Sequence, residues 1–417
     1  MAGIFPALRY FALSGPSLNL IKNSSRLDYK KLINKINCNV ANKILLLIAV
    51  ILFSGCARSV IKLSAKLDEE PFQMFGKTPH REFFVPVTVS DSLIEVWEKT
   101  ANGGFPNSSV AIYDEFIFIN DLSGRIYCYN LADGSQVGKL KYKGAIYSTP
   151  VPYKSTLIFP VSLENDYLTE LIYYDLLNGK EKELIEITGR VLTEMIALED
   201  AVIFCTEFGS VYKYDLYGET VWETHTRIPI HSSPSMSGDK IIFGNDKGEI
   251  ISLDEETGDS VYVSKIGGTF FSGSSVSDSK IYIGNENGFL YALNTEDGSI
   301  VWEFNTGARI LMTPAIDSQN VIFGNLGGSL YSLNKFTGEK NWETKFQSVL
   351  NSTPLLTNNR IILPDVLLSF HLIDKSNGQI LKTYKLDGRA KLSPVFYKDL
   401  LFIGYDDGIL RAYEFVE

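Results

Sequence analysis

The chain has 417 residues, of which 45% are hydrophobic and 12% aromatic, and this composition excludes a largely disordered protein. The net charge of −10 is unevenly distributed, because residues 1–56 carry seven Lys and Arg against one Asp and leave −16 on residues 57–417. So acidic a body repels phosphate backbones, and nucleic acid is not expected as a partner.

Residues 1–56 are predicted to be a leader with a lipoprotein signal segment. Residues 44–53 are ten consecutive apolar residues, too few to span a bilayer, and they follow Lys43 and end at Ser54, Gly55 and Cys56. This ending resembles a bacterial lipoprotein box, which implies cleavage before Cys56 and acylation of its thiol. The alternative is a short buried helix with a chance cysteine.

Residues 57–92 show no clear periodicity and contain three prolines among charged residues. We interpret this stretch as a tether between the lipid and a folded body. Residue 57 is Ala and not Asp, which in the enterobacterial sorting rule favours the outer membrane over the inner membrane.

A forty-residue repeat dominates the body, residues 93–417. Glycines recur at exact forty-residue intervals, and in most repeats an aromatic residue follows four positions later. The glycines are Gly218, Gly258, Gly298, Gly338 and Gly378, and the aromatic residues are Trp222, Tyr262, Trp302 and Trp342.

Each repeat is predicted to form four short strands. In one unit they lie near residues 274–276, 280–283, 289–294 and 300–304, separated by turns rich in Asn, Asp and Gly. A four-stranded antiparallel unit of this length is a propeller blade. Eight blade starts can be counted, near Val110, Pro150, Met195, Pro234, Ser274, Pro314, Pro354 and Pro394.

The eighth unit ends at Glu417 after only three strands. The missing outer strand is predicted at the other end of the body, where Val96-Trp97-Glu98 matches Val301-Trp302-Glu303. The fold class is therefore all-β, an eight-bladed β-propeller whose last blade is closed by the N-terminal strand near Trp97.

The repeats around Trp302 and Trp342 resemble those of pyrroloquinoline-quinone (PQQ) enzymes and their non-catalytic relatives. A lipoprotein box, a short tether and a lone eight-bladed body together resemble BamB-type lipoproteins of the outer-membrane β-barrel assembly machinery. That resemblance implies a monomeric, non-catalytic propeller without a cofactor, anchored in the outer membrane and facing the periplasm, which binds an envelope protein partner.

Two alternatives remain open from the sequence: a quinoprotein-like PQQ-binding redox or ligand-binding domain, and an envelope adaptor unrelated to barrel assembly. A bound quinone requires a divalent cation held by oxygen ligands near the axis. The column three residues before each blade start should ring one channel mouth, and it contains no acid. It reads Asn107, Tyr147, Leu192, His231, Phe271, Leu311, Asn351 and Lys391.

A candidate partner-binding face is predicted from irregularities in the loops. The strand 2–3 hairpins and the connections between blades should share one face of a propeller. Three arginines occupy equivalent places five residues before a blade start, and an apolar turn in blade 7 replaces a polar one, with its last residue where Gly288 and Gly328 stand. These residues are Arg190, Arg309, Arg389, Val366, Leu367 and Leu368. Ordinary drift in surface loops is the alternative explanation.

No catalytic or metal site is predicted. His225 and His231 belong to different strands and should diverge, and Cys128 and Cys205 fall in framework columns typical of buried, unreactive thiols.

Overall fold

Eight four-stranded antiparallel sheets make up a computed structural model of the chain, which describes residues 60–64 and 74–417. In blades 1 to 7 the four strands are consecutive and pair in chain order. The first strands of several neighbouring blades contact one another, so the first strand of each blade lies next to the central channel. The eight-bladed β-propeller predicted from the repeat is confirmed.

The first four blades contain these strands. Blade 1 consists of β2 (Ala111–Tyr113), β3 (Phe116–Asn120), β4 (Arg125–Asn130) and β5 (Gln136–Lys141). Blade 2 consists of β6 (Val151–Tyr153), β7 (Thr156–Leu163), β8 (Leu168–Asp175) and β9 (Lys180–Thr188). Blade 3 consists of β10 (Ile196–Ala197), β11 (Ala201–Cys205), β12 (Ser210–Asp215) and β13 (Thr220–His225). Blade 4 consists of β14 (Ser235–Ser237), β15 (Lys240–Gly244), β16 (Glu249–Asp254) and β17 (Ser260–Lys265).

The other four blades complete the ring. Blade 5 consists of β18 (Ser275–Ser277), β19 (Lys280–Gly284), β20 (Phe289–Asn294) and β21 (Ile300–Asn305). Blade 6 consists of β22 (Ala315–Ile316), β23 (Asn320–Gly324), β24 (Ser329–Asn334) and β25 (Lys340–Lys345). Blade 7 consists of β26 (Leu355–Leu356), β27 (Arg360–Asp365), β28 (Ser369–Asp374) and β29 (Ile380–Lys385). Blade 8 consists of β30 (Val395–Tyr397), β31 (Leu400–Tyr405), β32 (Ile409–Val416) and β1 (Ser92–Thr100), with a single 3-10 turn at Asp406–Gly408.

Ring closure follows the predicted scheme. Strand β1 pairs antiparallel with β32, so the N-terminal strand forms the outer edge of the last blade. Each repeat tryptophan lies under the glycine of the next blade, and a Cβ on that glycine would come within 2.8 Å of the indole at Gly134 (Trp97) and 2.7 Å at Gly338 (Trp302). The indole NH of Trp97 donates to the Leu131 carbonyl, as the Trp302 indole donates to a carbonyl of blade 6. The Gly and Trp repeat is therefore an inter-blade contact, and blades 8 and 1 share it.

Part of the segment interpreted as a tether is built into the propeller. Residues 79–87 run along the axis-facing edges of the inner strands, and their carbonyls accept hydrogen bonds from backbone NH groups of blades 4, 5, 6 and 7 in turn. Phe75, Arg81 and Phe83 are buried. Ile61 and Leu63 are also buried, in the apolar cluster of blades 1 and 2. The segment has no sequence period because its partners belong to different blades. We call residues 74–91 the channel segment.

No helix in the described ranges is both long and apolar enough to cross a membrane. The leader, including Cys56, lies outside the described residues.

Candidate functional site

The strand 2–3 hairpins and the blade-to-blade connections lie on one side of the ring, which we call the hairpin face. The three predicted arginines occupy equivalent backbone positions there. The carbonyls of Arg190 and Arg309 each accept a hydrogen bond of 2.9 Å from a hairpin NH of the following blade, and the Arg389 carbonyl accepts one of 2.8 Å. The structure therefore places all three on the face where the sequence predicted them.

Each arginine is paired with a carboxylate of the protein itself. Arg190 binds Glu207 through two contacts, Nε to Oε1 at 2.7 Å and Nη2 to Oε2 at 2.6 Å. The Arg190 side chain is 26% exposed, and its hydrogen bonds hold the pKa of the Glu207 carboxyl below its usual value. Arg190 is thus a positioned group held by a bidentate contact.

The other two arginines are more exposed. Arg389 Nε lies 2.6 Å from Asp406 Oδ2 in the hairpin of the blade that follows it. Blade 6 has Leu326 at the place of that acid, so Arg309 turns to Glu286 of the preceding blade, at 3.3 Å. Exposed pairs of this kind contribute little to folding stability, and their side chains can exchange partners readily.

The hairpin of blade 7 exposes apolar side chains. Leu367 is 54% exposed and Leu368 is 43% exposed, with Val366 partly buried beside them. Asp365 supports the turn, because its Oδ1 accepts hydrogen bonds from the backbone NH groups of Leu367 (2.8 Å) and Ser369 (3.2 Å). Its other oxygen, Oδ2, lies 3.0 Å from Nε2 of the buried His371. The exposed leucines therefore stand on a rigid base.

The last residue of this hairpin is conformationally unusual. Leu368 has a φ of +60°, in the left-handed region that disfavours residues with a Cβ. In six blades the residue before the third strand is a glycine. These glycines are Gly124, Gly209, Gly248, Gly288, Gly328 and Gly408. In blade 2 the same position is Tyr167, which has a φ of +51° and is 54% exposed. Both exceptions thus present a large apolar side chain to solvent from a strained backbone.

The forty-residue repeat singles out Leu368 but not Tyr167. Blade 2 has longer strands and an enlarged hairpin, so a fixed forty-residue spacing does not align Tyr167 with the glycines. Counting back one residue from the start of the third strand would have found it.

An open groove of about 840 Å³ adjoins the blade 7 hairpin. It lies between blades 7, 8 and 1 and is lined by Val366, Leu367, Leu368 and Arg389 together with backbone at Gly103. The structure therefore brings four of the six predicted face residues together, whereas Arg190 and Arg309 lie at other blades.

The channel holds a carboxylate that sequence reasoning missed. Glu194 lies two residues before the first strand of blade 3, where other blades have Ser, Thr or Gly, and it is 3% exposed. The backbone NH and the hydroxyl of Thr149 donate to its carboxylate at 2.8 and 3.1 Å. The guanidinium of Arg81, from the channel segment, donates to the backbone carbonyl of Glu194 at 3.3 Å.

Burial dominates the electrostatics of this pair. It raises the pKa of Glu194 to about 7 against the attraction of Arg81, and it lowers the pKa of Arg81 to about 10. The signal in the sequence was the single acid in a column that is otherwise Ser, Thr or Gly, two residues after the mouth column.

Cys128 and Cys205 are buried free thiols, and burial raises the pKa of both, that of Cys205 to about 12. His225 and His231 have separate carboxylate neighbours, Glu223 and Asp246. Within residues 60–64 and 74–417, no three His, Cys, Asp or Glu side chains group in a way that could hold a metal ion.

Comparison with known proteins agrees with this architecture. A family model of PQQ-type repeats, described as outer membrane protein assembly factor BamB, matches residues 182–269 and 264–386. A comparison with curated proteins returned no similar sequence.

Solved structures share the fold at low sequence identity. BamB from Moraxella catarrhalis has a TM-score of 0.66 and 19% identity, over 78% of this chain and 100% of that one. The computationally designed Ika8 protein has a TM-score of 0.67 and 11% identity, over 77% and 99%. Quinohemoprotein alcohol dehydrogenase from Comamonas testosteroni has a TM-score of 0.67 and 11% identity, over 84% and 81%. The chain is thus a PQQ-like β-propeller repeat protein that resembles BamB-type outer-membrane protein assembly factors.

Proposed function

We propose that this protein is a non-catalytic envelope scaffold whose hairpin face binds a protein partner in outer-membrane β-barrel assembly. The single observation that carries the proposal is the blade 7 hairpin, where Leu367 and Leu368 are exposed beside an open groove. Solvent-exposed apolar side chains on a rigid base are suited to insertion into a partner. The resemblance to BamB-type assembly factors supplies the class of partner.

Strain at Leu368 strengthens this proposal. A leucine in the left-handed region costs about 1–2 kcal/mol relative to an ordinary backbone conformation. The position is glycine in six other blades, so the fold does not need a side chain there. Contact with a partner would account for a leucine at this position.

The rest of the proposal concerns location. Cys56 is proposed as the acylated residue that anchors the chain to the outer membrane, with the propeller in the periplasm. Mass spectrometry of the protein purified from membranes tests this, because the mature chain should begin at a lipid-modified Cys56. A Cys56→Ser variant should lose the modification, and an unmodified chain that still begins upstream of Cys56 would refute the anchor.

Neither alternative has a specific observation in its favour. The quinohemoprotein enzyme shares the propeller fold at 11% identity, and that likeness concerns the fold alone. An adaptor outside barrel assembly would use the same face and differ only in its partner.

Photo-crosslinking in native envelopes tests the proposed function. A benzoylphenylalanine at Leu367 should form an adduct with a component of the barrel assembly machinery, identified by mass spectrometry. Tyr217 provides a matched control, because it is 85% exposed and lies in a strand 3–4 hairpin on the opposite face. Equal adducts from both positions, or none from Leu367, would contradict the proposal, and an adduct only with unrelated envelope proteins would favour the adaptor.

A further inference from the structure

A second apolar patch lies on the hairpin face at blades 2 and 3. The rings of Tyr167 and Phe208 are 5.9 Å apart and are 54% and 47% exposed. The Arg190 guanidinium lies 5.6 Å from the centre of the Tyr167 ring, and Glu207 holds that guanidinium in place. Two exposed aromatic side chains therefore pack against each other, and the Tyr167 ring also packs against a positioned guanidinium.

The backbone beneath this patch repeats the pattern of blade 7. Tyr167 occupies the left-handed position that is glycine in six blades, so its ring is presented at a conformational cost. Strained residues of this kind concentrate at binding sites. Leu368 and Tyr167 thus mark two separate parts of one face.

A groove of about 420 Å³ extends from this hairpin toward blade 1. Leu122, 40% exposed, and Leu163 provide its apolar lining. The surrounding carboxylates are Glu164, Asp166 and Glu170, against one cation, Lys143. In the part of the chain that the structure describes, none of these three carboxylates forms an ion pair.

The least exposed of these three acids, Glu170, has a like-charged neighbour. Glu170 in β8 stands directly opposite Glu186 in β9, an arrangement that destabilises a sheet. Burial, with further repulsion from Glu186 and Glu181, raises the pKa of Glu170. A cationic group bound in the groove would relieve this repulsion.

We propose that Leu122, Tyr167 and Phe208 form a second docking site, which takes a segment of a protein partner that carries Lys or Arg next to an apolar side chain. The exposed rings and leucine receive the apolar side chain, and the uncompensated carboxylates receive the cation. This inference rests on the proposed function, because it assigns the chemistry of a partner at the same hairpin face.

Crosslinking with peptide mapping tests the inference. Benzoylphenylalanine is placed at Leu122 or Phe208 in the full-length protein in native envelopes, with Leu367 as the reference position. The expected adducts from Leu122 and Phe208 map to a partner segment with a basic residue beside an apolar one. Adducts that map to acidic or uncharged segments, or to a second copy of this chain, would overturn the inference.

A charge variant tests the role of the carboxylates. With the probe at Phe208, the combination Glu164→Gln, Asp166→Asn and Glu170→Gln should lower the adduct yield about tenfold. The matched control changes three exposed carboxylates on the opposite face, by Glu256→Gln, Asp259→Asn and Glu339→Gln, and should leave the yield unchanged. Melting temperatures no lower than that of the wild type in both variants exclude unfolding as the cause, and an unchanged yield in the first variant would overturn the inference.

The two proposals fail in different ways. Adducts from Leu367 without any from Leu122 or Phe208 would overturn the second docking site and leave the proposed function standing. The absence of adducts from all three positions would overturn both.

Discussion

Blades 4 to 6 differ from blades 2 and 7 in the last residue of the hairpin between strands 2 and 3. In blades 4 to 6 the hairpin ends in Gly248, Gly288 or Gly328, and no large apolar side chain is exposed at these described hairpins. In blades 2 and 7 it ends in Tyr167 or Leu368, each exposed and with a positive φ. The glycines of blades 4 to 6 show that folding does not require a side chain at this position. Tyr167 and Leu368 are therefore not explained by the needs of the fold.

The departures are not scattered around the ring. Exposed apolar side chains at the hairpins belong to blades 7, 1, 2 and 3, which form one arc through blade 8. They are Leu122, Tyr167, Phe208, Leu367 and Leu368. We propose that the partner docks within this arc, where it can contact several hairpins at once.

The largest expected effect lies in the regular blades. Trp302→Ala removes an indole that packs under Gly338 and donates to the Lys335 carbonyl, and it should lower the free energy of unfolding by about 4 kcal/mol. Leu367→Ala should change it by less than about 0.5 kcal/mol, because the side chain is exposed. Denaturant titration measures both free energies. A similar loss of stability in the two variants would contradict the distinction between residues that stabilise the fold and exposed residues of the hairpin face.

Exchanging the turn residues sharpens the comparison. A Cβ at Gly288 would lie 2.8 Å from the backbone nitrogen and oxygen of Ala308 and would need a positive φ. Gly288→Leu should therefore destabilise the protein by about 3 kcal/mol, although Leu368 occupies the equivalent position in blade 7. Denaturant titration should find a loss well above that of an exposed control such as Asn287→Leu. Equal stability of Gly288→Leu and the wild type would show that the turn in blade 5 does not require glycine, which would remove this difference between the blades.

The buried acid of blade 3 should give a pH dependence that the Ser and Thr of other blades lack. The folded pKa of Glu194 is about 7, above the unfolded value near 4.5, so the folded state holds a proton that the unfolded state loses between these values. The free energy of unfolding should therefore fall by about 2–3 kcal/mol as the pH rises from 4.5 to 7. Glu194→Gln should flatten this slope relative to wild type, whereas the exposed control Glu199→Gln should keep it.

The smallest expected effect has opposite signs for stability and binding. Leu368→Gly relieves the left-handed strain and should raise the free energy of unfolding by about 1 kcal/mol. The same change removes an exposed leucine and should weaken capture of the partner. Calorimetry and crosslinking from Leu367 measure the two effects, and a variant that binds its partner as well as wild type would argue against a role for this side chain.

The repeat predicts the fold well because its partners are one repeat apart. The spacing of Gly338 and Trp302 encodes an inter-blade contact, and each predicted blade start lies one residue before an observed inner strand. The match of Val96-Trp97-Glu98 to later outer strands likewise predicted the closing strand, which pairs with β32.

The features that the sequence did not predict depend on contacts without a period. The channel segment pairs with successive blades through backbone carbonyls, so its residues follow the ring and not a local pattern. Glu194 meets Thr149 of blade 2 and Arg81 of that segment, which are distant in sequence. The partner-binding roles of Arg190, Arg309, Arg389 and the blade 7 hairpin stay predictions, and Arg309 lies between blades 5 and 6, outside the arc that we propose as the docking region.

One crosslinking map tests the central claim most directly. A photo-crosslinker is placed at the equivalent hairpin tip of every blade, one position at a time, in native envelopes. The positions are Ser123, Asp166, Phe208, Lys247, Asn287, Gly327, Leu367 and Asp407. We expect partner adducts from the arc of blades 7, 8, 1, 2 and 3 and none from blades 4 to 6. Adducts that are uniform around the ring, or strongest at blades 4 to 6, would contradict the account.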